Sequence, residues 1–125
     1  MVEVMIAIAI LMIAVAGATA SQVSFNRLAA TSAETSSGMA DLQACMERVL
    51  LEAPVDLPIA GSLYEAGISI VAFEGLHLNG ERIRATYPDY AGGTVPDPLE
   101  IILTLSFQDH QGRQRIMRLA SMKTR

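Results

Sequence analysis

Residues 4–20, VMIAIAILMIAVAGATA, run for seventeen positions without a charge. As an α-helix rising 1.5 Å per residue they span about 25 Å, slightly less than the roughly 30 Å hydrocarbon core of a bilayer. The first thirteen, up to Gly17, are all Ile, Leu, Val, Met or Ala. The segment is therefore apolar all round, and such a helix requires lipid or the interior of a bundle. Glu3 stands just before it, and the first basic residue is Arg27. A secretory signal peptide opens on a basic region, so an acidic start favours retention in the membrane. One rival reading rests on Ala18-Thr19-Ala20 followed by Ser21, which fits the small-x-small pattern of a signal peptidase site. Cleavage after Ala20 would release a periplasmic binding module beginning at Ser21.

Beyond Ala20 polarity rises, but no decisive breaker intervenes before Pro54. Met39, Leu42, Met46, Val49 and Leu50 recur at spacings of three and four and predict one apolar helical face, with Asp41, Gln43, Glu47 and Arg48 mostly opposite. The stretch 31–38, TSAETSSG, is rich in side chains that compete for backbone hydrogen bonds and ends in glycine, so a kink or fraying is expected there. A helix from about residue 3 to 52 would be about 75 Å long. Cys45 falls beside the apolar face and reads as a small buried hydrophobe.

Pro54 and Pro58 end this helix, and a short strand is expected at 68–73. Residues 81–87, ERIRATY, alternate Ile83, Ala85 and Tyr87 against Arg82 and Arg84, the period of a half-buried strand, and Asn79-Gly80 before them signals a turn. After the loop 88–98, Leu99, Ile101, Leu103, Leu105 and Phe107 alternate with polar residues. Asp109-His110-Gln111-Gly112 then fits a three-residue hairpin loop with Gly112 as a bulge glycine. That register sets Leu105 opposite Met117 and Leu103 opposite Leu119, with Arg118 pointing outward. A two-residue turn would instead oppose Leu103 to Arg118.

A chain of 125 residues with net charge −4 and pI near 5.0 has room for one small domain and lacks the clustered cations by which nucleic-acid binders displace counterions. Its single cysteine excludes an intrachain disulfide. Residues 1–20 are expected to form the apolar, transmembrane half of the helix, 21–53 its amphipathic half, and 54–125 the β region of one globular domain. His77 and His110 lack metal-ligand spacing and read as solvated. No nucleophile-base arrangement or phosphate loop emerges, so neither an enzyme nor a cofactor is indicated.

The run Met1 to Leu11, MVEVMIAIAIL, resembles the start of a mature type IV pilin or type II secretion pseudopilin, in which a short apolar stretch, one glutamate and a long apolar helix follow a cleaved leader. The resemblance extends to the Asp109-x-x-Gly112 turn and the closing strand, which are similar to the C-terminal region of minor pilins and minor pseudopilins. It implies an α+β fold, with a long N-terminal helix packed by a C-terminal antiparallel sheet. It also implies a structural filament subunit, minor by its short domain, acting in priming, assembly or at the tip.

By this resemblance Glu3 is the assembly residue, its carboxylate pairing with the amino terminus of a neighbouring subunit. An acid inside a membrane helix costs about 2.5–3.5 kcal/mol near the centre, less near the end, and tends to find a charged partner. The implied partners are other pilin or pseudopilin subunits, the bacterial inner membrane, a filament assembly platform and, if a leader lies upstream of Met1, a prepilin peptidase that leaves a methylated N-terminus. The exposed sheet edge and loop 88–98 would meet neighbouring subunits or cargo. Some pseudopilin loops bind calcium, which makes Asp89 and Asp97 candidate ligands, although their spacing is not that of an EF-hand. A membrane-anchored subunit of some other complex is a third reading, which would leave Glu3 without a partner in trans.

Overall fold

A computed structural model describes residues 2–124. The order of elements is a helix α1 (Val2–Leu51) followed by strands β1 (Asn79–Thr86), β2 (Leu99–Gln108) and β3 (Gln114–Lys123). Two compact units divide the chain between Ala33 and Glu34.

The first unit is helical throughout its described residues, and their large apolar side chains are exposed, among them Ile6, Ile10, Leu11, Ile13 and Phe25. Its hydroxyls turn back on the helix: Thr19 Oγ1 donates to the Ala16 carbonyl at 2.9 Å, Ser24 Oγ to Ala20 at 3.1 Å and Thr31 Oγ1 to Arg27 at 3.0 Å. A hydroxyl satisfied in this way can sit in an apolar surrounding without an orphaned donor. This helix is long and apolar enough to cross a membrane.

The second unit is an α+β arrangement in which the C-terminal part of α1 packs on a three-stranded antiparallel sheet of order β1-β2-β3. The central strand β2 has the expected alternation, with Leu99, Ile101, Leu103 and Leu105 fully buried and Phe107 nearly so. The bulged hairpin is present: the Asp109 N–H donates to the Arg113 carbonyl at 2.9 Å, the Gly112 N–H donates to the Asp109 carbonyl at 2.8 Å, and Gly112 takes φ +74°. Leu105 accordingly faces Met117, Leu103 faces Leu119, and Arg118 is exposed.

Three local expectations are corrected. Residues 31–38 neither fray nor break the helix, and Gly38 is buried. The stripe against the sheet is Gly38, Asp41, Leu42, Cys45, Met46 and Val49, while Met39 and Leu50 are each 37% exposed. The missing side chain at Gly38 brings the sheet close, since a β-carbon there would lie 2.9 Å from Leu105 Cδ2 and 3.1 Å from Leu78 Cδ1. This turns the buried face toward Asp41, whose charge is met by a histidine.

Residues 68–73 do not form a strand. A single bridge joins Ser69 to Arg84, and a 3-10 turn follows at Val71–Phe73. The buried residues there, Ile70 and Phe73, are three apart, the spacing of a turn and not of a pleat. Asn79 and Gly80 lie inside β1, where three steps from Asn79 to Arg82 oppose two from Gln108 to Ser106. The glycine, at φ +64°, serves both this β-bulge and the expected turn, in which the Glu81 N–H donates to the Leu78 carbonyl at 3.4 Å.

Pro54 does limit the helix, which stops at Leu51. The Lys123 ammonium of β3 donates to the carbonyls of Leu50 and Glu52 at this end, meeting acceptors that the helix leaves unpaired.

Candidate functional site

Glu3 lies in the first turn of α1, where four backbone N–H groups lack intrahelical acceptors and the helix dipole favours negative charge. It is exposed and shares one surface groove with Val4, Ala7, Ile8 and Leu11. From Val2 to Asn26 it is the sole ionisable side chain. Chemically the arrangement is one carboxylate at the rim of an apolar helix face, open to a cation brought by another molecule.

The other sequence candidates lie in the second unit. Asp89 and Asp97 are exposed residues of the loop between β1 and β2. Among the described residues no three His, Cys, Asp or Glu side chains converge on a point that could hold a metal ion. Cys45 is fully buried, and burial pushes its thiol up to about 12 against the opposing pull of the Arg48 charge. It packs as the small hydrophobe the pattern indicates.

Both histidines, read as solvated from sequence, pair with helix carboxylates. His77 Nδ1 lies 2.9 Å from each carboxylate oxygen of Asp41, although the ring is 63% exposed. The His110 N–H donates to Glu34 Oε1 at 2.8 Å, and its Nδ1 lies 3.3 Å from Oε2. These pairs tie the approach to β1 and the β2–β3 hairpin to the helix.

Two further buried carboxylates carry no periodic signal. Glu81 Oε2 accepts the N–H groups of His77 and Leu78 at 3.1 and 3.2 Å, while Oε1 has no hydrogen-bond partner among the described residues. Asp109 Oδ1 accepts the N–H groups of Gln111 and Arg113, each at 2.9 Å. Its Oδ2 accepts Nε of Arg113 and Arg115 at 3.1 and 3.2 Å. Burial raises this carboxyl, but the four hydrogen bonds outweigh it and hold it at about 2. The Asp-x-x-Gly spacing was the signal that located the turn; the two arginines that converge on the aspartate follow only from the fold. On the other side of the core, Tyr87 OH donates to the Tyr64 carbonyl at 2.8 Å, and the Arg48 guanidinium stacks 5.4 Å from the Phe73 ring centre.

Glu34, Asp41, Glu81 and Asp109 of the second unit are thus spent on holding the fold, and Glu3, the sole acid of the first unit, makes no ion pair among the described residues and sits on the apolar surface. No family model, curated protein or solved structure matches the chain.

Proposed function

We propose that the chain is a structural subunit of a type IV pilus or type II secretion-like filament, a minor pilin or pseudopilin acting in priming, assembly or at the tip. The observation that carries this reading is the single helix Val2–Leu51, whose first part is clad in exposed apolar side chains behind one acid, Glu3, and whose last part is buried under a sheet. In this reading the apolar part lies in the bacterial inner membrane with the globular unit in the periplasm, then packs among equivalent helices as the filament is built. Glu3 pairs with the amino terminus of a neighbour and sets the axial register, since a carboxylate in a low-dielectric surrounding is costly until an opposite charge meets it.

The partners are other pilin or pseudopilin subunits and an assembly platform, with a prepilin peptidase acting if a leader precedes Met1. No catalytic role is assigned. Release of a periplasmic binding module at Ala20 would divide α1 within its first unit; the N-terminal mass of protein taken from membranes separates that outcome from a retained, methylated N-terminus. Replacing Glu3 by Gln should leave membrane insertion intact and deplete the chain from purified filaments relative to the membrane fraction. Normal incorporation of Glu3→Gln would refute the pairing.

A further inference from the structure

Two uncovered surfaces of the unit Glu34–Arg125 carry opposite charge. On the outer face of the sheet, strand register places Arg84, Thr104 and Arg118 in one row and Arg82, Ser106 and Ile116 in the next. The three arginines are exposed and form no ion pair among the described residues. Arg82, Arg84, Thr104, Ser106 and Ile116 line a shallow concavity of about 460 Å³, and Ile116 is 61% exposed. The acid on this face, Glu100, sits two rows beyond Thr104, opposite Met122. Guanidinium groups gathered on neighbouring strands repel one another, so a counter-charge supplied from outside is favoured.

The second surface lies past the end of α1. Leu51 and Leu63 are 86% and 81% exposed, and Glu52, Asp56 and Leu63 line one small depression. Glu52 and Asp56 are exposed and make no ion pair among the described residues. Of the cations at this end of the helix, Lys123 is bound to backbone carbonyls and Arg48 is stacked on Phe73. One surface therefore offers an apolar knob flanked by carboxylates, and the other offers a largely polar hollow that holds one exposed apolar side chain, Ile116, between arginines. Apolar contact with complementary charge around it is the make-up of a specific protein interface.

We propose that the outer sheet face of one copy receives the Leu51–Glu52–Asp56–Leu63 corner of a second copy, with Leu63 against Ile116 and the carboxylates against Arg82 and Arg84. The two surfaces differ, so the contact is heterologous and continues from copy to copy without closing at a dimer unless the rotation forms a ring. It adds a contact between globular units to the filament reading, and it requires neighbouring copies of this chain, as a role in priming or assembly supplies and a lone copy at a tip does not. No residue before Glu34 takes part, so it stands or falls apart from the pairing of Glu3.

The test uses the full chain in an uncharged detergent, with Leu63→Cys in one preparation and Ile116→Cys in another; Cys45, fully buried, stays out of the exchange. Mild oxidation of the mixture should yield disulfide-linked heterodimer about tenfold above the homodimer of either variant alone. That excess should fall roughly tenfold with Arg82→Glu and Arg84→Glu on the Ile116→Cys copy, the loss expected of two exposed charge contacts. Glu52→Arg with Asp56→Arg on the other copy should restore it, and Glu3→Gln in both should leave it unchanged. A mixture no richer in heterodimer than the single variants, indifference to charge reversal, or loss of the product with Glu3→Gln would each overturn the interface.

Discussion

Gly38 offers a test in which two effects of similar size oppose each other. In a helix interior, glycine to alanine stabilises by about 1 kcal/mol, and burying the added methyl contributes about 0.8 kcal/mol more. Against this, the new β-carbon would stand 2.9 Å from Leu105 Cδ2, 3.1 Å from Leu78 Cδ1 and 3.4 Å from Met117 Sδ. The closest of these is well inside the roughly 3.5–4.0 Å separation at which carbon atoms attract. Leu105 is fully buried and Leu78 is 8% exposed, so neither can simply swing into solvent. Overpacking of this kind costs about 1–3 kcal/mol.

With about 1.8 kcal/mol of gain set against about 1–3 kcal/mol of overpacking, Gly38→Ala is expected to fall between about 0.8 kcal/mol more and about 1.2 kcal/mol less stable, whereas Gly38→Leu loses about 3 kcal/mol or more. Urea unfolding of the full chain in detergent measures this cleanly. The protein has no tryptophan, and its three tyrosines, Tyr64, Tyr87 and Tyr90, all belong to the second unit, so tyrosine fluorescence reports on that unit alone. Trimming Leu105 to Val should recover part of the loss in Gly38→Ala if the clash is its source. Stabilisation of Gly38→Ala by the full ~1.8 kcal/mol of helix propensity and methyl burial would refute close helix-sheet contact at this point.

Asp109 and Cys45 give two further expectations. The folded Asp109 carboxyl, held at about 2, lies below its unfolded value of about 3.9, so the stability it contributes is complete above about pH 4 and is lost as pH falls toward 2. Asp109→Asn should therefore be less stable than the parent at neutral pH, with the gap narrowing on acidification; a gap independent of pH would show that the hydrogen bonds do not depend on the charge. For Cys45, with its thiol pushed up to about 12, the thiolate fraction near pH 8 is only about one in ten thousand. Iodoacetamide should modify it slowly in the folded chain and rapidly in denaturant, and equal rates would mean that the helix face is open.

How far the sequence discloses this fold depends on how locally each feature is determined. The row Leu99 to Phe107 is long, strictly alternating and followed by a turn with its own chemistry, so β2, the hairpin and the register of Leu103 with Leu119 all follow from adjacent residues. The helix was legible in extent because no proline interrupts it before residue 54, and Leu42, Met46 and Val49 of its buried stripe were placed correctly, but Met39 and Leu50 stood where Gly38 and Asp41 belong. Apolar periodicity gives no weight to Gly38 and counts Asp41 as polar, whereas the packed helix uses the first as a gap and pairs the second with His77, thirty-six residues away. The same limit applies to Ile70 and Phe73, whose burial comes from a turn against β1 that no local pattern encodes.

Among candidate functional residues, Glu3 was visible because it is one charge in an apolar run. The arginines of the outer sheet face read separately as the polar half of two strands, and only the pairing of β1 and β3 on either side of β2 gathers them.

The order of strands across the sheet is also their order along the chain, with β2 in the middle. During synthesis β2 emerges with β1 already available, but its other edge stays open until β3 follows, and so does the carbonyl cluster that Lys123 binds at the end of α1. The globular part therefore completes itself only when its last strand arrives. In that interval the nascent chain presents an unpaired apolar ribbon, Leu99 to Phe107, while its hydrophobic leading helix has long since left the ribosome. Until the final strand is delivered, that open edge is the part of the globular unit most exposed to mispairing.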